Sequence, residues 1–138
     1  MATVVDHLRT VPLFQGMTDR ALEAVADLGR EVSLTDGQAM LREGDDGDAF
    51  YVVTDGRLAV SQGGRQIAEL GPGDFLGEIS LIDGRPRTAT ATAVGAVDAV
   101  CIDRAAFLEL VDTYGAVRLG ILMALTDRIR RDAGSSRD

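Results

Sequence analysis

The sequence predicts a mainly β domain with flanking helices, an α+β arrangement whose strands form an antiparallel sandwich or roll. Three observations point there. From Arg30 to Ile102, short β-type runs alternate with turns rich in glycine and aspartate. On both sides of that region the apolar spacing changes to that of amphipathic helices. Within it, strands do not alternate with long helical segments, which argues against a parallel α/β sheet. At 138 residues, 46% hydrophobic and 26% charged, the chain is expected to be one domain with its own core. Its parts are an N-terminal helical segment (1–29), the roll (30–102), C-terminal helices (103–131) and a polar tail (132–138).

Val4 to Leu8 reads as a first helical turn, and Val11-Pro12-Leu13-Phe14 as a linker with apolar anchors. Thr18 is placed to cap the next helix, because its hydroxyl can accept a backbone N–H that the first turn leaves unbonded. Ala21, Leu22, Val25 and Leu28 form the apolar stripe of that helix, and Gly29 stops it. The candidate strands are Glu31–Leu34, Ala39–Arg42, Ala49–Thr54, Arg57–Ser61, Gln66–Leu70, Thr88–Val94 and Val97–Ile102. Asp36-Gly37, Gly44 to Gly47, Asp55-Gly56, Gly63-Gly64 and Gly71-Pro72-Gly73 separate them. Asp55-Gly56 and Gly63-Gly64 each fit a two-residue hairpin, since a type I′ turn needs positive φ at both central residues. Asp103 caps a helix from Arg104 to Thr113, Gly115 breaks it, and Ala116 to Arg131 forms the last helix. Val117, Ile121, Leu125 and Ile129 lie on one stripe of that helix, while Leu119, Leu122 and Met123 spread apolar surface onto neighbouring faces.

Composition removes whole classes of chemistry. One cysteine, Cys101, excludes a disulfide framework and a multi-cysteine metal site. One histidine, His7, lies outside the roll, so a cupin-type metal enzyme lacks its ligands. All 14 basic residues are arginine, which excludes lysine nucleophiles and Schiff bases. The net charge of −8 opposes nucleic acid and anionic membranes. No apolar run approaches a membrane span, and no secretory leader pattern opens the chain, so the expected compartment is the cytoplasm. The Asp45-Asp46-Gly47-Asp48 cluster does not follow the calcium-loop spacing and reads as a turn. The glycines from Gly71 to Gly77 do not fit the dinucleotide fingerprint.

One stretch carries chemistry. Phe75 to Thr92, F-L-G-E-I-S-L-I-D-G-R-P-R-T-A-T-A-T, is read as interrupting the β pattern. Gly77 lets the backbone approach something closely. Glu78 to Ile82 can form one helical turn, whose unbonded N–H groups favour an anion. Pro86 stiffens the approach to Arg87, which opens a run of small residues. An anion site beside an ionised Glu that accepts from hydroxyls describes a pocket for a sugar phosphate. The bland alternatives are a surface strand arginine at Arg87 and an exposed capping acid at Glu78. Arg85 reads as a solvated turn residue.

The segment from Gly77 to Thr90 resembles the phosphate-binding cassette of the cyclic nucleotide-binding domain family, the type found in catabolite activators and protein kinase A regulatory subunits. The spacing from Glu78 to Arg87 is the same. Gly44, Gly47 and Asp48 before Phe50-Tyr51-Val52-Val53, then Asp55-Gly56 and Val60, are similar to the family's first glycine-rich half, and Gly71-Pro72-Gly73-Asp74-Phe75 to its approach to the cassette. The resemblance covers about residues 10–131. It implies an eight-stranded β-roll with N-terminal helices and two C-terminal helices, and it implies binding of cyclic AMP or cyclic GMP without catalysis and without a cofactor. By position, Arg87 would pair with the cyclic phosphate and Glu78 would accept the ribose hydroxyl. Backbone N–H groups at Gly77, Glu78, Ile79, Ser80 and Thr88 would complete the cradle. The last helix would cap the base, with Leu125, Arg128 or Ile129 as the lid. Thr88 alone does not decide the purine; cyclic AMP is expected ahead of cyclic GMP. Only Asp132–Asp138 follow Arg131, so the chain is expected to sense a ligand for an effector protein or domain beyond it. The competing expectation is a degenerate roll used for protein interaction, including a homodimer through the last helix.

Overall fold

The computed structural model describes residues 3–11, 14, 16–77 and 86–123. Two helices come first, α1 (Val4–Arg9) and α2 (Asp19–Leu28). Thr18 caps α2 as expected, its side chain accepting from the Ala21 N–H, and Gly29 ends it. A capping box at Thr3 and Asp6 starts α1, each side chain bonding the other residue's backbone N–H.

Six strands follow: β1 (Arg30–Leu34), β2 (Ala39–Leu41), β3 (Ala49–Gln62), β4 (Arg65–Leu70), β5 (Phe75–Leu76) and β6 (Thr90–Asp103). Every pairing among them is antiparallel. The sheet order is β1-β6-β3-β4, with β2 on β6 and β5 on β3. β3 and β6 are each 14 residues long and each spans two of the predicted strands. Asp55-Gly56 is therefore not a hairpin. The chain runs straight through it, paired to β6 on both sides, with register shifts at Val53/Asp55 and Asp55/Arg57. These bulges place Gly56 at φ +87°, where a Cβ would run into the Ala96 carbonyl. Gly63-Gly64 does turn the chain, between β3 and β4. Phe75 and Leu76 pair with Val52 and Tyr51, so the sheet reaches one residue short of Gly77, where the β pattern was expected to break off earlier. Counted by arms, the two long strands and four short ones give the eight segments of a roll.

α3 (Arg104–Thr113) is capped by Asp103, which accepts from the Ala106 N–H. It ends at Tyr114, one residue before the predicted break, and residues 115–123 are helical, so Gly115 opens the following helix, α4. The expected continuation of α4 to Arg131 lies outside the described residues. No helix among the described residues is long and apolar enough to cross a membrane.

Alternation along β3 divides the core in two, because successive side chains of a strand point to opposite faces. Phe50 and Val52 join Leu8, Phe14, Leu22, Val25, Phe107, Leu110, Val117 and Ile121 in a cluster between sheet and helices. Val53 and Leu58 face the other way, into the roll, with Leu76, Ala91, Ala93 and Val97. Val117 and Ile121 of the predicted stripe are buried, its Leu125 and Ile129 lie outside the described residues, and Leu119, Leu122 and Met123 are exposed. Cys101 is buried in β6.

Candidate functional site

Arg87 is the only charged residue buried among the described ones, at 6% exposure. A buried guanidinium is costly unless its donors are satisfied. Two backbone carbonyls answer that need: Arg87 Nη1 donates to the Gly77 oxygen at 3.0 Å, and Nη2 to the Ala49 oxygen at 2.7 Å. These bonds fix the plane of the fork, which is the geometry that matches a phosphate or carboxylate. The Arg87 peptide is held as well. Its N–H donates to the Asp45 oxygen at 2.7 Å, and its carbonyl accepts from the Gly44 N–H at 2.9 Å. The β2–β3 turn, read from sequence as a turn and not a calcium loop, thus grips the arginine's backbone.

Gly77 is required by this arrangement twice over. Its φ is +100°, a conformation that favours glycine. A Cβ there would lie 2.7 Å from the Ala49 oxygen and 2.8 Å from Arg87 Nη1. Gly77→Ala therefore displaces Arg87 from its carbonyls. We expect at least a tenfold (~1.4 kcal/mol) loss of affinity for the site's anionic ligand, read by calorimetric titration; unchanged affinity would contradict the close packing.

Tyr51 lies on the roll side of β3, opposite Cys101 in the register. Burial pushes its phenol above the ordinary value of 10.0; the neighbouring Cys101 thiol and the Asp48 carboxylate add to the shift, and Arg87 opposes it. These four groups thus share one electrostatic neighbourhood. The sign follows from linkage: a raised pKa in the folded state makes the unfolded chain lose this proton first. The contribution is complete below pH 10 and is lost as pH rises above it. Tyr51→Phe should flatten the loss of stability as pH rises above 10, measured by urea unfolding. An identical alkaline slope in both proteins would remove the assignment.

Of the predicted site residues, the structure brings Gly77 and Arg87 together. Thr88 follows Arg87 at the surface, with its carbonyl accepting from Gln62 Nε2 at 3.1 Å. Glu78, Ile79 and Ser80 lie outside the described residues, as do the lid candidates Leu125, Arg128 and Ile129. Sequence reasoning missed Ala49 and Asp45, which act through main-chain oxygens that leave no side-chain signature.

The family model for the cyclic nucleotide-binding domain matches residues 31–114. A cAMP-dependent protein kinase regulatory subunit from Dictyostelium discoideum is 37% identical over 113 residues, 76% of this chain and 35% of the relative. A CRP-like cAMP-activated global transcriptional regulator from Mycobacterium tuberculosis is 31% identical over 124 residues, 86% of this chain and 55% of the relative. The chain thus spans about a third to a half of the length of these curated relatives. The crystal structure of the Thermus thermophilus catabolite activator protein superposes with a TM-score of 0.84 at 28% identity, covering 91% of this chain and 62% of that one.

Proposed function

Since the chain belongs to the cyclic nucleotide-binding domain family, we propose that it is a sensor module that binds cyclic AMP, ahead of cyclic GMP, without chemistry on the ligand. The observation that carries this reading is Arg87, buried at 6% and oriented by the Gly77 and Ala49 carbonyls. A fork held in that way meets a cyclic phosphate without first being ordered, which lowers the entropy lost on binding. Glu78 accepts the ribose hydroxyl, and the backbone of Gly77, Ile79, Ser80 and Thr88 adds donors. Leu125, Arg128 and Ile129 on the last helix close over the base. Closure is a population shift, so the lid must contact ligand in one state and not the other. The reader of that shift is an effector domain or protein in the cytoplasm, as the two relatives named for cyclic AMP are regulators.

Calorimetric titration with cyclic AMP, cyclic GMP and 5′-AMP tests the reading. We expect saturable binding of a cyclic form near or below micromolar, tightest for cyclic AMP, with 5′-AMP much weaker. Heat from none of the three would overturn it. A second reading, assembly without ligand, is favoured by Leu119, Leu122 and Met123, which are 58%, 62% and 61% exposed on residues 115–123. A light-scattering mass of a dimer that is indifferent to ligand would support that reading instead.

A further inference from the structure

We propose that Gln62 and Glu43, at the β3–β4 turn and after β2, are positioning residues that hold the Arg87 segment in register for its ligand. The proposal rests on Arg87 being the phosphate-binding group. Backbone pairing between β3 and β6 begins at Ser61↔Thr90. Arg87, Thr88 and Ala89 lie just before it, outside the β3–β6 ladder, and the Arg87 peptide is held instead by its two main-chain bonds to Gly44 and Asp45. Side chains add to those two bonds. Gln62 follows the last residue of β3 that pairs with β6, and its Nε2 reaches across to donate to the Thr88 oxygen at 3.1 Å. Glu43, just after β2, bonds both the start of β6 and the β3–β4 turn. Its N–H donates to Thr90 Oγ1 at 3.0 Å, its carboxylate Oε1 accepts from the Gly63 N–H at 3.0 Å, and the next two residues grip the Arg87 peptide through Gly44 N–H and Asp45 O. The β3–β4 turn, Glu43 and Arg87 are thus one hydrogen-bonded unit. A group that must meet a ligand productively has to be held to roughly 0.5 Å, and flanking bonds of this kind supply that.

The experiment compares wild type with Gln62→Glu, Glu43→Ala and Glu43→Gln. Gln62→Glu keeps the shape but sets a carboxylate oxygen against the Thr88 carbonyl. Glu43→Gln keeps an oxygen acceptor for Gly63. By calorimetry we expect Gln62→Glu and Glu43→Ala each to weaken cyclic AMP by about three- to tenfold, with Glu43→Gln within about twofold of wild type. Hydrogen exchange in the ligand-free protein gives a second readout. The Arg87 and Gly44 amides should exchange faster in the first two variants, be restored in Glu43→Gln, and be matched by no change in β1. Wild-type binding with unaltered affinity in all variants would overturn the positioning role and leave the sensor reading intact. Acceleration spread evenly over β1 and β6 would overturn it as general loosening. If no cyclic nucleotide binds wild type, the sensor reading fails, and with it the ligand role of Gln62 and Glu43, whatever exchange shows of their hold on the loop.

Discussion

Arg87→Ala lowers affinity for the cyclic nucleotide by about 2–5 kcal/mol, roughly thirtyfold to several-thousandfold. The magnitude follows from burial. An anion drawn against a guanidinium whose residue is 6% exposed gives up water, and without that guanidinium its lost hydration is not repaid by the opposite charge. Arg87→Lys keeps the charge but loses the two-pronged geometry that the Gly77 and Ala49 carbonyls orient, so it should recover only part of the loss. Arg57 supplies the contrast. It pairs with Glu69 at 2.7 Å, yet its side chain is 71% exposed. Such a surface pair is worth at most about 1 kcal/mol of stability, and Arg57→Ala should leave the dissociation constant unchanged. Titration of the three variants decides the matter; equal losses at Arg57 and Arg87 would mean that net charge, not a built site, governs binding.

Phe50→Ala costs about 3–5 kcal/mol of folding stability, a large share of the ~5–15 kcal/mol that a domain of this kind has. Phe50 is 1% exposed, with its ring 5.0 Å from Phe107 and 5.6 Å from Phe75. It therefore joins β3 to α3 and to the strand that leads into Gly77. The same stretch of β3 serves the site with its main chain, since the neighbouring Ala49 carbonyl holds Arg87. Loss of the ring leaves a cavity at the residue next to that carbonyl, so ligand affinity should fall along with stability. Urea unfolding measures the first effect, and a cost under about 1 kcal/mol would show that the core collapses around the gap.

Local chemistry explains which parts of the molecule were readable from residues alone. Thr18, Gly29 and Asp103 mark helix ends because a cap is a bond between neighbours in sequence. Gly63-Gly64 was legible for the same reason. Asp55-Gly56 has equal turn chemistry, but a bulge uses positive φ just as a hairpin does. What separates the two is the partner strand, and β6 lies some forty residues away, with Asp55 opposite Asp98 and Arg57 opposite Val94. At the site, Arg87 and Gly77 announce themselves through a charge and a missing side chain. Their partner does not: the Ala49 oxygen is 38 residues from Arg87, and any residue would carry the same carbonyl. Gln62 and Glu43 were passed over because polar residues beside a turn are ordinary, and only the fold shows what they reach.

The most direct measurement is the side-chain nitrogen resonance of Arg87 during titration with cyclic AMP, with adenosine as the phosphate-free control. If Arg87 receives the cyclic phosphate, its Nε–H signal shifts saturably with cyclic AMP, slows its exchange with water, and stays put with adenosine. Saturable binding of cyclic AMP that leaves the Arg87 signal where it was would contradict the account and move the ligand elsewhere on the roll.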